Sequence, residues 1–424
     1  MPAAKQPWTS EQARAAAVGI VRVLREAGHE AYLAGGCVRD ELLGLEPTDY
    51  DVATDARPES IRSLFRRTNE VGASFGVVLV KERNVAVEVA TFRADGPYSD
   101  RRRPDHVEFA DATADARRRD FTINALFLDP FAEGGTPGAR GRVIDLVGGV
   151  ADLERKVIRA VGDPAQRLAE DHLRALRAVR FAARLGFEIE AGTARAIREH
   201  AAALGGVSRE RIGDEIRSMM DRPSRTRAVL LLQSLALDGP VLDAPHRHAE
   251  PTVLARLGPE TGLAACLGAW AIDRGDIASE AQLPALVRSR RRALCLSNEE
   301  RDELRAVLGG AVGLPGSWSG LGVAARKRLA STRYFAQTLA LLTAYRPEVG
   351  AEVARCVHAL TATPSGLSPE PIITGDDLTA SGLTPGPQFA TLLSAVYDAQ
   401  LEDRIRTRDE ALALALELAA RTRV

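Results

Sequence analysis

The hydrophobic periodicity of this chain changes once, between about residues 150 and 164, and that change limits the folds open to it. Before it, short apolar runs alternate with helical stretches. Residues 10–27 carry the period of an amphipathic helix with Ser10 as its cap. "EAYLAGG" (30–36) predicts a strand closed by glycines, and "CVRDELLG" (37–44) a helix ending at Gly44. "DYDVAT" (49–54) predicts a second strand, and "RPESIRSLF" (57–65) a helix with Pro58 in its first turn. "FGVVLVKE" and "VAVEVATF" are alternating runs joined at Arg83 and Asn84, the pattern of a hairpin. From about 164 onward almost only helical periodicity remains, broken by Pro and Gly at 204–206, 239–240, 314–316 and 363–369. A chain of 424 residues exceeds one ordinary core. The expected architecture is an α/β head over residues 1–150 followed by a long all-α region.

The stretch "YLAGGCVRDELLGLEPTDYDVAT" (32–54) packs chemistry into a small space. Gly35 and Gly36 close a strand and open a helix. Backbone there can approach a ligand closely, and free N–H donors face phosphate. Arg39, in the first turn, adds a charged fork. Asp49 and Asp51 stand at i and i+2 on the next predicted strand, so both carboxylates point to one face. Paired hard anionic oxygens suit magnesium, and two metals about 3.5–4 Å apart activate a hydroxyl and neutralise a leaving pyrophosphate. Each piece has a plain structural counterpart: a Gly-Gly turn, a solvated Asp-x-Asp edge. The order strand, glycines, helix with Arg-Asp, strand with Asp-x-Asp favours the catalytic reading.

Further motifs follow. Glu88 lies on "VAVEVATF", on the face opposite Val87 and Val89. It is either a third acid near the metals or a surface residue of a half-exposed hairpin. Arg118, Arg119, Asp120 and Asn124 sit where the strand "FTINALFLD" (121–129) would begin. The arginines are placed to bind a triphosphate, and Asn124 to reach a sugar hydroxyl or orient Asp120; a solvated charge run capping a strand is the alternative. "EDHLRALRAVRFAARLGF" (170–187) is helical by period. Leu168, Leu173, Leu176, Val179 and Ala183 form its core arc, with Glu170, Arg174, Arg177 and Arg184 opposite. Asp171 and Arg174 are i,i+3 neighbours, the spacing of a surface salt bridge.

These segments, with "TFRADGPYSDRRRPDHVEF" (91–109), "RRRDFTINAL" (117–126), "IDLVGGVADL" (144–153), "VSRERIGDEI" (207–216) and "ITGDDLTASGLTPGPQF" (373–389), occur in one order. In that order the chain resembles the bacterial, class II tRNA nucleotidyltransferases (CCA-adding enzymes) and their relatives, the bacterial poly(A) polymerases. The resemblance is dense over residues 20–220 and returns at 373–389. It implies a polymerase-beta-like nucleotidyltransferase head (1–150), a helical neck that recognises the base (151–240) and a helical body and tail that bind tRNA (241–424).

The resemblance also implies roles. Asp49 and Asp51 hold Mg2+, while Glu88 stays a candidate third acid on the strand pattern alone. Gly35, Gly36, Arg39, Arg119, Asp120 and Asn124 bind the nucleotide, and Arg177 and Arg180 belong to the same set. Asp171 and Arg174 select the base. Cytosine and adenine both show an exocyclic amine beside a ring-nitrogen acceptor, whereas uracil and guanine show a carbonyl beside a ring N–H. A carboxylate next to a guanidinium therefore fits C and A and misfits U and G. The segment after Phe92, rich in Gly, Pro, Asp and Arg, matches a flexible loop that accompanies the switch from C to A and that CC-only enzymes lack. Ser208, Glu210 and Arg211 match a motif that braces the nucleotide-binding helix.

The expected activity is addition of the 3′-terminal CCA, or its terminal A, to the tRNA 3′ end from CTP and ATP. A poly(A) polymerase shares every head motif, and a catalytically silent RNA-binding protein on the same scaffold is the alternative from another class. The net charge is −1, so RNA must be held by local patches: 101–103, 117–119 and "RSRRRA" at 288–293. Four isolated cysteines suit a reducing cytoplasm, and no run of about 18 apolar residues predicts a membrane span. The sequence leaves the oligomeric state open.

Overall fold

The computed structural model describes residues 8–70, 76–96 and 107–421. The patch at 101–103 and the middle of the segment after Phe92 lie outside these described residues. By contacts the chain divides into two compact units: residues up to Met219 together with Arg227–His246, and Met220–Thr226 together with Arg247 onward. The change of periodicity near 150 falls within the first unit.

The first unit opens with α1 (Ser10–Glu26), which turns Ala13, Ala16, Ala17, Ile20, Val21 and Leu24 into the core. Its cap is Thr9 and not Ser10. Thr9 Oγ1 accepts the Gln12 N–H at 3.2 Å and Gln12 Oε1 accepts the Thr9 N–H at 2.8 Å. The deciding signal was Gln three residues after Thr9, a capping box. Then come β1 (Ala31–Ala34), α2 (Gly36–Leu42), β2 (Asp51–Thr54), α3 (Pro58–Leu64) and β3 (Thr68–Glu70). The hairpin β4 (Val77–Glu82) and β5 (Val85–Thr91) turns at Arg83 and Asn84, with φ of 50° and 65°. Two successive left-handed residues make a turn whose twist matches the strands.

Short strands β6 (Arg93–Asp95) and β7 (Val107–Phe109) pair antiparallel, and α4 (Ala112–Arg118) follows. The strand expected from residue 121 begins only at Leu126, as β8 (Leu126–Asp129). Phe121 instead makes an isolated bridge to Ala160, and 122–124 form a 3-10 turn. Side-chain bonds divert the backbone here: Asp120 Oδ1 accepts the Phe121 N–H, and Thr122 Oγ1 donates to buried Asp152. With β9 (Arg142–Asp145), seven strands among the described residues form one sheet in the order β3-β4-β5-β2-β1-β8-β9. Among the described strands of this sheet, only β2 and β5 pair in parallel. Tyr32, Phe92 and Phe127 cluster on the sheet with ring centroids 5.9–6.3 Å apart.

Beyond α5 (Gly149–Glu154) and β10 (Val157–Ile158), the expected single helix around Asp171 is two. The first, α6 (Pro164–Glu170), stops at Asp171, whose backbone is extended (φ −151°, ψ 103°), and α7 (Arg174–Leu185) starts three residues later. Asp171 Oδ1 accepts the Leu173 N–H at 3.1 Å, an Asx-type bond that competes with helical continuation. After β11 (Glu188–Ile189) and α8 (Ala191–His200) comes α9 (Arg209–Met220).

The second unit is helical. Leu263–Asp273, Asn298–Ser317, Phe335–Tyr345 and Pro347–Thr361 pack on one another, as their Ala- and Leu-rich composition suggests. The break expected at 314–316 falls at the helix end: Pro315 lies inside the last turn of Asn298–Ser317, giving up one i→i−4 bond just before the helix stops. Near the C-terminal end, Ile373, Leu378, Leu392, Val396, Ala411 and Ala415 share a separate core. Among the described residues no helix is long and apolar enough to cross a membrane.

Candidate active site

The glycine turn is shaped by its surroundings. Gly35 has φ 77° and ψ −124°, and a Cβ there would lie 2.9 Å from Arg119 Nη1. Both facts demand glycine. The helix it opens, α2, has only seven residues, so local N–H groups and the adjacent guanidinium matter more than a macrodipole.

Asp51 is the first residue of β2 and Asp49 precedes the strand. The face expected from alternation is kept nonetheless: Asp49 and Asp51 are exposed, while Tyr50 between them is buried and its hydroxyl donates to Glu41 Oε1 at 2.9 Å. On the neighbouring strand, β2 and β5 pair in parallel with Val52 opposite Val89. One residue back, that register sets Asp51 beside Glu88. The Asp51 carboxyl is pushed up to about 7, first by burial among protein atoms although the residue keeps solvent access, then by Glu88 and Asp49, with Arg119 opposing. Next to it, burial pushes the Cys37 thiol up to about 12, helped by Asp51; Cys37 is a packed residue whose thiol donates to the Ala34 carbonyl.

Arg119 is held from three sides. Its Nε and Nη2 donate to Asp115 Oδ2 at 3.1 and 3.0 Å, its Nη1 donates to the Asn124 carbonyl at 3.2 Å, and its guanidinium lies 5.1 Å from the Phe127 ring centroid. Asp115 also accepts two bonds from Arg118. Burial alone would raise the Asp115 carboxyl, yet Arg119 and Arg118 hold it below the usual carboxylate range. This organising acid was missed from the sequence, although its i,i+3 and i,i+4 spacing to Arg118 at the end of α4 and to Arg119 just past it was there to read.

Arg39 is buried, and its fork is engaged by protein: Nε donates to Asp40 Oδ1 at 2.8 Å and Nη1 to Asn124 Oδ1 at 2.5 Å. Asn124 Nδ2 donates to Asp120 Oδ1, and Arg177 Nε donates to Asp120 Oδ2 at 2.8 Å. Arg180 Nε donates to Glu215 Oε2 at 2.7 Å.

Asp171 and Arg174 are not paired with each other through their side chains. Asp171 accepts from Arg211 Nη1 at 3.2 Å and Nη2 at 2.7 Å, a fork reaching over from α9. Arg174 was expected opposite the core arc, but it is buried and donates to Glu170 Oε2 at 2.5 Å and to the Arg167 carbonyl at 2.6 Å. The break between α6 and α7 is the reason: it removes the continuous helix surface on which the two would have met.

A strand–glycine–helix turn facing strand-borne acids, on a mixed sheet that leads into helices, defines a nucleotidyltransferase head. Comparison agrees. The family model described as "Poly A polymerase head domain" matches residues 31–159, and "Probable RNA and SrmB- binding site of polymerase A" matches 186–242. The CCA-adding enzyme of Lacticaseibacillus paracasei is 34% identical over 399 residues, covering 92% of this chain and 91% of the relative. That of Lactiplantibacillus plantarum is 34% identical over 408 residues, covering 94% of each. The crystal structure of the Bacillus stearothermophilus CCA-adding enzyme in complex with CTP superposes with a TM-score of 0.77 at 28% identity, covering 99% of both chains. The chain belongs to the CCA-adding enzyme family.

Proposed function

We propose that the protein is a tRNA nucleotidyltransferase that adds the 3′-terminal CCA to tRNA from CTP and ATP, releasing pyrophosphate. The observation that carries it is the parallel β2–β5 register that sets Asp51 beside Glu88, with Asp49 on the same side and the Arg119 charge acting on Asp51 against theirs. Three acids and one fixed arginine at a glycine turn are what attack of a ribose hydroxyl on a triphosphate requires. Relatives matched over nine-tenths of their length support the substrate, as does the likeness to an enzyme solved with CTP.

The donor set fits magnesium. Burial first, and then the neighbouring charges of Glu88 and Asp49, raise the Asp51 carboxyl to about 7, and the repulsion among these hard oxygens is what a divalent cation relieves. Among the described residues no preassembled group of three or more metal-binding side chains is present. Mg2+ fits that arrangement, because it keeps several waters and takes substrate phosphates beside one or two carboxylates. Held by Asp49 and Asp51, Mg2+ would supply Lewis-acid stabilisation of the triphosphate and a lowered pKa for the attacking hydroxyl.

The chain's own groups do the rest. The backbone at Gly35 and Gly36 approaches the phosphates, and Arg119 presents its guanidinium beside them, fixed by Asp115. Arg39, Asp120 and Asn124 act by orienting one another and Arg177. Asp171 accepts from the exocyclic amine of C or A and Arg174 donates to the ring nitrogen, with Arg211 and Glu170 aiming them and Arg180 anchoring α7 through Glu215. The reading places the head at 1–150, the neck at 151–240 and the body and tail at 241–424, with the enzyme acting in the cytoplasm.

Three tRNA transcripts, ending before CCA, after C and after CC, offered CTP and ATP singly and together, test this reading. Extension to CCA and no further is expected. A ladder of A residues identifies a poly(A) polymerase, extension only from CC identifies an A-adding enzyme, and no extension refutes the assignment.

A further inference from the structure

Two residues outside every role assigned above close a ring that joins the sheet to α7. From α7, Arg177 Nε donates to Asp120 Oδ2 at 2.8 Å. Asn124 Nδ2 donates to the other Asp120 oxygen at 3.1 Å. Arg39 Nη1 donates to Asn124 Oδ1 at 2.5 Å, and Arg39 Nε to Asp40 Oδ1 at 2.8 Å. Arg184 Nη2, back on α7, donates to Asp40 Oδ2 at 3.1 Å. Arg177 and Arg184 are seven residues apart, two turns, and therefore on one face. Between them Phe181 fills the ring: the Arg39 guanidinium lies 5.1 Å and that of Arg177 5.3 Å from its centroid, and Phe121 meets it edge-on at 6.0 Å.

The charges explain why the ring holds. Arg39 and Asp40 are 3% and 4% exposed, and a buried ion pair of this kind is costly unless each partner is fully bonded. Arg39 spends its fork on Asp40 and Asn124. The second Asp40 oxygen would be left without a strong donor were Arg184 not there. Because Asp40 follows Arg39 on α2, three residues after Cys37 and four after Gly36, a shift of Asp40 moves the glycine turn. Because Arg184 lies on the helix that begins with Arg174, a shift of that helix moves Asp40.

We propose that Asp40 and Arg184 are positioning residues that lock the base-selecting helix to the glycine turn, so that a base seated in the neck sets the triphosphate for attack. The inference rests on the nucleotidyltransferase reading above. It makes the Asp40–Arg184 contact a coupling element that touches neither base nor phosphate. Its loss lets a correctly selected nucleotide bind while its α-phosphate is misplaced, and misplacement by about 1 Å costs on the order of 100-fold in rate.

The test compares Arg184→Met, Asp40→Asn and the double variant with the wild-type chain, following CMP addition to a tRNA ending before CCA and AMP addition to one ending in CC. Each single variant is expected to lower kcat by about tenfold to a hundredfold for both nucleotides, with nucleotide KM changed by less than about threefold. The double variant should be no slower than the slower single variant, because the residues act as one unit. Wild-type kcat in Arg184→Met, or losses that multiply in the double variant, overturns the proposal. Should Arg184→Met fail to fold, Asp40→Asn, which keeps the side chain's shape, decides alone: wild-type kcat there overturns it equally. An inactive wild-type chain would instead refute the underlying activity.

Discussion

Arg211 Nη2 donates to Asp171 Oδ2 at 2.7 Å, so the carboxylate expected to read the incoming base is held by a fork from α9 and not by Arg174, three residues along its own segment. A carboxylate aimed from a second element keeps its direction when the base arrives. Asp171→Ala removes the acceptor for the exocyclic amine, so discrimination against UTP and GTP should fall. A hydrogen bond to a charged group is worth about 1.5–3 kcal/mol, or roughly tenfold to a hundredfold. Leu176→Ala, in the core of the same helix and fully buried, should lower stability by about 2–5 kcal/mol and leave base choice alone. Measured kcat/KM for all four nucleotides on a tRNA ending in CC separates the two. An equal fall for all four in Asp171→Ala would mean that the template lies elsewhere.

The raised Asp51 carboxyl has a pH signature. Its folded value of about 7 lies above the ordinary carboxylate value of about 3.9. A group raised on folding favours the folded state fully below the unfolded pKa, and that contribution is lost as pH rises through the folded one. In chelator, Asp51→Asn should therefore melt above the wild type at pH 8, with the gap closing as pH falls from 7 towards 4. Added Mg2+ should stabilise the wild type more than the variant. A gap independent of pH would show that Asp51 carries no such field.

The arginines at 288–293 divide into two kinds. Arg290 is 4% exposed and bonds Asp276, while Arg288, Arg291 and Arg292 are exposed. Arg290→Ala breaks a buried pair and should cost about 3–5 kcal/mol of stability. Replacing Arg288, Arg291 and Arg292 with Ala should leave the melting temperature nearly unchanged, weaken tRNA binding and flatten its salt dependence. Filter binding at several salt concentrations reads both effects; unchanged affinity would make the three a solvated face.

Gly35→Ala meets two obstacles, a φ of 77° and an Arg119 atom 2.9 Å away. With ψ at −124° this backbone lies outside even the left-handed helical well and costs a non-glycine residue on the order of 1–3 kcal/mol, and Arg119 cannot swing aside without leaving Asp115 or Phe127. The variant should lose at least about tenfold in kcat/KM, with Arg119→Ala in the same background adding little. Full multiplication of the two losses would show that the glycine acts independently of Arg119.

Which of these relationships could be read from sequence depended on how local they are. The strand–glycine–helix–strand order of residues 30–54 is set by neighbours, as is the Arg83–Asn84 turn, so both were legible. The adjacency of Asp51 and Glu88 was not, because it follows from β2 lying next to β5 in the sheet, a long-range choice that alternation within either strand leaves open. Periodicity carried a helix through Asp171, where a side-chain bond to the Leu173 N–H ends it. It likewise placed Arg174 outside and left Arg290 in an apparently solvated run. Arginine is counted as polar by pattern, but its long stem and fork let it sit in the core wherever a carboxylate from another element meets it. Asp276 and Glu170 are such carboxylates.

The central claim is that Asp51, beside Glu88 and Asp49, carries the chemistry while tRNA is gripped elsewhere. Single-turnover addition of CMP to a tRNA ending before CCA, by the wild type and by Asp51→Asn with saturating Mg2+, tests it most directly, with tRNA affinity measured on the same samples. The expected result is a rate loss of at least about 10²–10³ at tRNA affinity within about twofold of wild type. A variant that adds CMP at near wild-type rate would contradict the account.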